Sequence, residues 1–198
     1  MGDPAPSPRL VEAARSQVGV TLRYDPAYQR LPYPGGDVPL DRGVCTDVVI
    51  RAYRRLGCDL QVRVHQDMAA NWAAYPDLWR MKGPDPNIDH RRVPNLATFF
   101  RRHGKALATN PDPKAYAPGD LVTWRLISGV PHIGIVSDRR SAAGVPLILH
   151  NIGAGAKEED ILLAYAITGH FRFEPGPSPT EPGRPSSSPR SAPGPRRG

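Results

Sequence analysis

The sequence predicts an α+β fold in which N-terminal helices pack on one face of a C-terminal antiparallel sheet. Apolar residues recur at helical spacing in the first half of the chain, and apolar runs of strand length replace them after Lys105. The connections between these runs are short, which favours antiparallel pairing over helical crossovers. Helices that precede the strands, rather than alternate with them, are typical of α+β domains.

Helical signals begin at the N-terminus. Ser7 is followed by proline, as at many helix starts, and apolar residues then recur at helical spacing until Gly19 ends the pattern. A second predicted helix begins at Cys45, carries one apolar face and ends at Gly57. Two shorter helices are predicted near residues 67–74 and 95–103.

The predicted strands follow Lys105. Each is an apolar run bounded by Gly, Pro, Asp or Asn residues, as strands usually are. The earlier segment 24–43 contains too many proline and glycine residues for a regular element, so it is predicted to be a loop. The four strands are predicted over residues 119–126, 132–138, 146–153 and 169–173.

Composition divides the chain into a body, residues 1–173, and a tail, residues 174–198. Of the 24 prolines in the 198-residue chain, eight lie in the tail, together with many Gly, Ser and Arg residues. A segment of this kind cannot bury a core and is expected to be disordered. The body has the apolar content of an ordinary globular domain, so we expect one folded domain with an appendage.

The net charge of +7 indicates a basic surface that would suit a polyanionic partner. A nucleic-acid partner is not expected, because the sequence has no zinc-finger spacing, no basic helix with heptads and no aromatic RNA-binding motif. The sequence contains no run of about 18 apolar residues, so it predicts no membrane-spanning helix. The first residues also lack the apolar stretch of a secretory signal.

The chain has two cysteines, Cys45 and Cys58, which are too few for a disulfide scaffold. At least one thiol is therefore expected to be free. Cys45 lies at the N-terminus of the second predicted helix, whereas Cys58 follows its end. The partial positive charge of a helix N-terminus lowers the pKa of a thiol and favours the nucleophilic thiolate. Cys45 is therefore the candidate nucleophile.

Two histidines supply the partners that a nucleophilic thiol needs. His132 opens one predicted strand, and His150 ends the next, eighteen residues later. Antiparallel pairing would let one ring deprotonate the thiol while the other fixes its tautomer. Asn151 is an alternative for the second role, because periodicity does not show which side chain of an apolar strand faces His132. The order cysteine, histidine, polar residue is that of papain-like hydrolases.

Several motifs resemble known bacterial families. The segments Gly119-Asp-Leu-Val-Thr-Trp, Pro131-His-Ile-Gly-Ile-Val and Leu149-His look like the strand motifs of NlpC/P60 cell-wall peptidases, which are papain-like. Five motifs, in order across about residues 15–173, are similar to the narrower DUF1287 family. They are Tyr33-Pro-Gly-Gly-Asp-Val-Pro, Gly43-Val-Cys-Thr-Asp-Val-Val-Ile-Arg-Ala, Asn87-Ile-Asp-His-Arg-Arg-Val-Pro-Asn-Leu, His132-Ile-Gly-Ile-Val-Ser and His150-Asn-Ile-Gly.

The NlpC/P60 resemblance implies a cysteine hydrolase that cuts an amide bond in peptidoglycan stem peptides through a thioester acyl-enzyme, with no cofactor. It implies Cys45 as nucleophile, His132 as general base and then acid, and His150 as the residue that orients His132. The motif at the helix start, Val-Cys-Thr-Asp, departs from the Asp-Cys-Ser-Gly that is usual in that superfamily.

Further residues are candidates for substrate contacts. The superfamily places a tyrosine near the thiolate, and both Tyr24 and Tyr33 fit that description. Arg91 and Arg92 could hold a substrate carboxylate, and structural salt bridges are the alternative. The other candidates are Asp47 and Asn151.

The resemblance also implies a partner and a location. Peptidoglycan or its muropeptides would be bound in the periplasm or after secretion, in wall remodelling or by an antibacterial effector with a cognate inhibitor protein. The alternatives are acyl transfer by the same Cys–His pair, a non-catalytic wall-binding module, and a zinc site built from Cys45, His132, His150 and a carboxylate such as Asp47. The zinc site is disfavoured, because closely spaced pairs such as His-x-x-x-His or Cys-x-x-Cys are missing.

Overall fold

A computed structural model describes residues 7–174 of the chain. Within this range four α-helices and eight strands follow one another, with three short 3-10 helices at Trp72–Ala74, Asp89–Arg91 and Pro113–Ala115. The helices are α1 (Pro8–Arg15), α2 (Cys45–Arg55), α3 (Leu60–Ala70) and α4 (Val93–His103). The strands are β1 (Arg23–Tyr24), β2 (Arg42–Gly43), β3 (Lys105–Leu107), β4 (Leu121–Arg125), β5 (Pro131–Arg140), β6 (Pro146–Asn151), β7 (Ala156–Glu159) and β8 (Ala166–Arg172).

Six of the strands form one sheet in the order β3-β8-β4-β5-β6-β7, and every neighbouring pair is antiparallel. The prediction of an α+β fold with an antiparallel sheet is therefore confirmed. β4 and β5 lie at the centre, so the strand that carries His132 is flanked on both sides. β1 and β2 form a separate two-stranded parallel pair.

The sheet has an apolar core on each face. The larger core lies between the helices and one face of the sheet, as predicted, and it joins Leu10 of α1 and Val49 of α2 to Ile133 and Ile135 of β5. The smaller core includes Trp124 of β4 and is covered by loop residues such as Tyr116 and Leu162. The indole N–H of Trp124 donates to the carbonyl of Leu162 at 2.9 Å, which fixes that cover.

α2 is the most enclosed helix, because its first nine residues, Cys45–Tyr53, are all buried. The single apolar face that the sequence predicts is therefore only part of its buried surface. Its charged residues are paired, as buried charges must be. Arg51 contacts Asp37 at 2.9 Å and donates to the carbonyl oxygens of Val38 and Arg42. This guanidinium orders the segment 24–43, which contains the short strands β1 and β2 rather than only loop.

Two other predictions of local structure need correction, and the prediction of a free thiol is confirmed. The helix predicted near residues 67–74 begins earlier, at Leu60, because Asp59 caps it by accepting the Gln61 N–H at 3.0 Å. β3 and β7 are strands that the sequence analysis missed, since β3 has only three residues and β7 is short and polar. Both cysteines are free thiols. The prediction of a disordered tail concerns residues that, except for Glu174, lie outside the described range.

Candidate active site

Cys45 is the first residue of α2, as predicted, and only 4% of it is exposed. Asp47 stabilises this helix start, because its Oδ2 accepts the Val44 N–H at 2.7 Å. Gly43 permits the close approach, since a Cβ at that position would lie 2.9 Å from Asp47 Oδ2. The local sequence Gly-Val-Cys-Thr-Asp therefore folds as a capped helix that begins at the thiol.

The sulfur of Cys45 lies against backbone N–H groups. The N–H groups of Ile133 in β5, of Thr46 and of Cys45 itself lower the pKa of the thiol, which places these groups near the sulfur. Since Ile133 directly follows His132, the thiol sits beside the start of the strand that carries the predicted base. Among residues 7–174, no hydrogen bond joins the thiol directly to the His132 ring. Catalytic hydrogen bonds are often long before substrate binds.

The two predicted histidines are in contact. His132 Nε2 lies 3.1 Å from His150 Nδ1, and the rings meet edge to face with their centroids 5.2 Å apart. On its other side His150 Nε2 lies 3.1 Å from Glu159 Oε2. Trp124 packs on the His132 ring at a centroid distance of 5.8 Å. The rings and the carboxylate thus form a continuous polar chain, His132–His150–Glu159.

Burial favours the neutral forms of the thiol and the imidazole. Burial raises the pKa of Cys45 to about 12, although the Ile133 N–H acts in the opposite direction. Burial also lowers the pKa of His132 to about 3, and His150 lowers it further. The expected lowering of the Cys45 pKa by the helix N-terminus is therefore outweighed by desolvation. At neutral pH the resting site contains a thiol and a neutral ring rather than an ion pair.

The predicted substrate residues Asp47 and Arg91 are paired with each other instead. Arg91 Nε donates to Asp47 Oδ1 and Nη2 donates to Oδ2, both at 2.9 Å, and both side chains are almost fully buried. Arg91 also donates to the carbonyl oxygens of Ala27 and Asp25. Of the two interpretations offered for Arg91, the structural salt bridge is the one observed. Asp47 likewise holds the helix start and has no oxygen left over for a ligand.

A cavity of about 350 Å³ opens beside Cys45. Tyr24 lines it, and burial, followed by the negative charge of a Cys45 thiolate, raises the pKa of this tyrosine to about 12. Tyr33 does not line the cavity; its ring packs on His65 at 5.2 Å. Of the two tyrosines that the sequence left open, Tyr24 is therefore the one beside the thiol.

Arg92 is placed to contact a ligand in this cavity. Its guanidinium stacks over the Trp79 ring at 4.0 Å, and both residues line the cavity. A carboxylate partner, Asp89, lies 3.5 Å away. The side chain of Arg92 thus keeps a solvent-facing part, whereas the donors of Arg91 face protein acceptors.

Asn151 holds the backbone near the nucleophile. Its Nδ2 donates to the carbonyl oxygens of Gly43 at 3.0 Å and Arg23 at 3.3 Å, and its Oδ1 accepts the Gly153 N–H. It therefore ties the pair β1–β2 to the end of β6. Of the two candidates for the orienting role, His150 is the one in contact with His132.

Among residues 7–174, no group of three His, Cys, Asp or Glu side chains is arranged to hold a metal ion. The zinc set considered above is not assembled, because Asp47 is engaged by Arg91 and His150 by His132 and Glu159. No helix in the same range is long and apolar enough to cross a membrane.

The sequence analysis missed Glu159. Its signal was present, because β6 and β7 form a tight hairpin in which His150 pairs with Lys157. Glu159, two residues further along β7, then lies diagonal to His150 on the same side of the sheet. The strand was missed because its residues, Ala-Lys-Glu-Glu, lack the apolar alternation by which strands are recognised.

The fold and the site define an α+β domain with a buried thiol at the first residue of a helix and a chain of two histidines and a glutamate on an antiparallel sheet. The chain belongs to the DUF1287 family, a domain of unknown function, whose profile matches residues 11–173. It is similar to the uncharacterized protein YijF of Escherichia coli (strain K12), with 57% identity over 164 residues. These residues cover 83% of this chain and 80% of the relative.

Proposed function

We propose that this protein is a papain-like cysteine hydrolase of the NlpC/P60 type that cuts an amide bond in peptidoglycan stem peptides. The single observation that carries the proposal is the Cys45 thiol at the start of α2, near the Ile133 N–H, because Ile133 directly follows His132, the first member of the His132–His150–Glu159 chain. The motif resemblance to cell-wall peptidases supplies the substrate class.

The proposed reaction begins from the neutral thiol. As the sulfur attacks the substrate carbonyl carbon, His132 takes the thiol proton and the carbonyl oxygen becomes an oxyanion. Backbone N–H groups in the first turn of α2 are suitable donors to that oxyanion. The tetrahedral intermediate then expels the amine, which receives the proton from His132, and leaves a thioester on Cys45. Water hydrolyses the thioester and restores the thiol.

The cleft beside Cys45 supports an extended anionic substrate. The cavity at the thiol shares Val93, Pro94 and Pro131 with a second cavity of about 310 Å³, so the two adjoin. Besides Arg91, which Asp47 neutralises, their lining residues include three arginines and no Asp or Glu: Arg92, Arg101 and Arg125. A cleft lined by one sign of charge attracts the opposite charge, and stem peptides carry several carboxylates. We place the activity in the periplasm or outside the cell, in wall remodelling or as an effector with a cognate inhibitor.

Mass spectrometry of soluble products from purified peptidoglycan tests this proposal. The wild-type protein is expected to release stem-peptide fragments, and Cys45→Ala is expected to lose at least about 10⁶-fold in rate, which is the low end of enzymatic accelerations. Cys58→Ala is the matched control, because it removes the other buried thiol at the far end of the same helix. Circular dichroism verifies that each variant is folded.

The fragment masses decide the outcome. Hydrolysis adds one water to the cut bond, whereas acyl transfer joins the acyl fragment to a new amine or alcohol. Equal release by Cys45→Ala and wild type would exclude the thiol mechanism. Retention on peptidoglycan without any released fragment would instead indicate a non-catalytic binding module.

A further inference from the structure

Glu159 is the one member of the His132–His150–Glu159 chain to which no role has been given. Its Oε2 lies 3.1 Å from His150 Nε2, and the side chain is 38% exposed, whereas His150 is fully buried. We propose that Glu159 is a positioning residue that fixes the protonation of both rings, so that Nδ1 of His132 is left without a proton and can act as the base of the proposed reaction. The role in catalysis rests on the proposed function; the effect on the rings does not.

The assignment follows from donor and acceptor chemistry along the chain. An ionised carboxylate only accepts hydrogen bonds, so the Glu159 contact requires a proton on Nε2 of His150. Neutral His150 then has a bare Nδ1, which accepts the Nε2–H of His132 at 3.1 Å. Neutral His132 in turn has a bare Nδ1. That nitrogen is able to take a proton from a thiol.

Without the carboxylate, the opposite arrangement becomes available. His150 could carry its proton on Nδ1 and donate it to His132 Nε2. His132 would then hold its own proton on Nδ1 and would present a donor, not a base, to the thiol. The two arrangements exclude each other because only one proton fits between the rings. Glu159 therefore selects the arrangement in which His132 acts as a base.

Of the two glutamates in β7, only Glu159 is placed for this role. Lys157, which pairs with His150 across the hairpin, lies 3.7 Å from the other oxygen of Glu159. Glu158 is held by Arg15 at 2.9 Å and by Arg139 at 3.0 Å, away from the histidines. Glu158→Gln is consequently a matched control that removes one negative charge from the same strand.

The first measurement is the tautomer of each ring, read from ¹⁵N chemical shifts of histidine-labelled protein at pH 8. In the wild type and in Glu158→Gln, we expect His132 and His150 both to carry the proton on Nε2. In Glu159→Ala, we expect His150 to shift toward the Nδ1–H form. A wild-type protein with the proton of His132 on Nδ1 would overturn the proposal.

The second measurement is the rate at which iodoacetamide alkylates Cys45 at pH 8, in a Cys58→Ala background. In Glu159→Ala, loss of the base is expected to slow alkylation about 10-fold. This effect is much smaller than the loss of about 10⁴-fold in rate that follows removal of a residue that orients a catalytic histidine, because Glu159 is partly exposed. Glu159→Gln should return to within about threefold of wild type, since its amide oxygen still accepts from His150 Nε2. Equal rates for Glu159→Ala and Glu158→Gln would exclude the proposal.

These measurements use no peptidoglycan, so the two proposals fail separately. If peptidoglycan is not cleaved but the tautomers and alkylation rates are as expected, the proposed substrate is wrong and the role of Glu159 in fixing the tautomers stands. If fragments are released but the tautomers are unchanged in Glu159→Ala, the proposed function stands and the role of Glu159 is wrong.

Discussion

At the scale of single residues, two adjacent side chains at the end of β6 make different contacts. His150 contacts the His132 ring, whereas Asn151 holds the carbonyl oxygens of Gly43 and Arg23. Successive residues of a strand point to opposite sides. The end of β6 therefore contacts the His132 ring through one residue and the segment before Cys45 through the next. The two residues should therefore differ in whether their loss affects activity or stability.

Asn151→Ala is expected to lower the free energy of unfolding by about 1–3 kcal/mol, because it leaves buried carbonyl oxygens without a donor. Urea denaturation followed by circular dichroism measures this change. His150→Ala is the contrasting variant, since its main effect is expected on the rate of peptidoglycan cleavage, by up to about 10⁴-fold. A stable Asn151→Ala protein with no activity would contradict this division of roles.

At the scale of elements, the start of α2 depends on one buried ion pair. Asp47 caps the helix through the Val44 N–H and at the same time neutralises Arg91, which comes from the 3-10 helix Asp89–Arg91. Cys45 is therefore positioned by contacts between two distant parts of the chain. Because both charges are buried, the loss of one partner leaves the other without compensation.

Asp47→Ala is expected to destabilise the fold by about 3–5 kcal/mol, since it leaves the buried Arg91 guanidinium without its carboxylate partner. The double variant Asp47→Ala/Arg91→Met should be more stable than Asp47→Ala alone, because it removes the stranded charge. Urea denaturation of both single variants and the double variant gives the coupling energy. Strictly additive effects would show that the pair contributes nothing beyond its separate members.

A large part of the fold was predictable from the sequence, because the elements with strong apolar periodicity do form. α1, α2, α4 and the central strands follow their patterns closely. The elements that were missed depend on tertiary contacts. β7 has polar residues and exists through its pairing with β6, and β1–β2 are held by Arg51 and Asn151.

The candidate site was predictable in its residue types more than in its roles. Cys45 at a helix start and the His132–His150 contact follow from local patterns and strand pairing. The pairing of Asp47 with Arg91 spans 44 positions, so no local pattern could identify it. Desolvation also depends on what surrounds a group in three dimensions. The direction of the Cys45 pKa shift was therefore not accessible from the helix position alone.

At the scale of the whole molecule, burial of neutral histidines makes stability depend on pH. The pKa of His132 is lowered to about 3 and that of His90 to about 4, chiefly by burial, while an unfolded histidine titrates near 6.5. Between these values the unfolded chain binds protons that the folded protein does not. Stability is therefore complete above pH 6.5 and falls as the pH decreases, by about 2 kcal/mol per histidine at pH 5.

His132→Gln is expected to flatten this dependence by about one proton, or about 1.4 kcal/mol per pH unit, between pH 4.5 and 5.5. The measurement is the midpoint of urea unfolding at several pH values for the variant and the wild type. The comparison of slopes is independent of any constant change in stability that the substitution causes. Parallel curves would mean that His132 takes up a proton in the folded protein.

The depth of the two thiols also bears on how the protein ages in an oxidising environment. Oxidants such as peroxide react with the thiolate, and burial raises the pKa to about 12 for Cys45 and about 11 for Cys58. At pH 7 only about one Cys45 in 10⁵ is then ionised without assistance. Sulfenic acid should consequently form slowly on both residues, and in the proposed reaction Cys45 becomes reactive only when an imidazole takes its proton. A protein built in this way retains its reduced cysteines outside a reducing compartment without a disulfide to protect them.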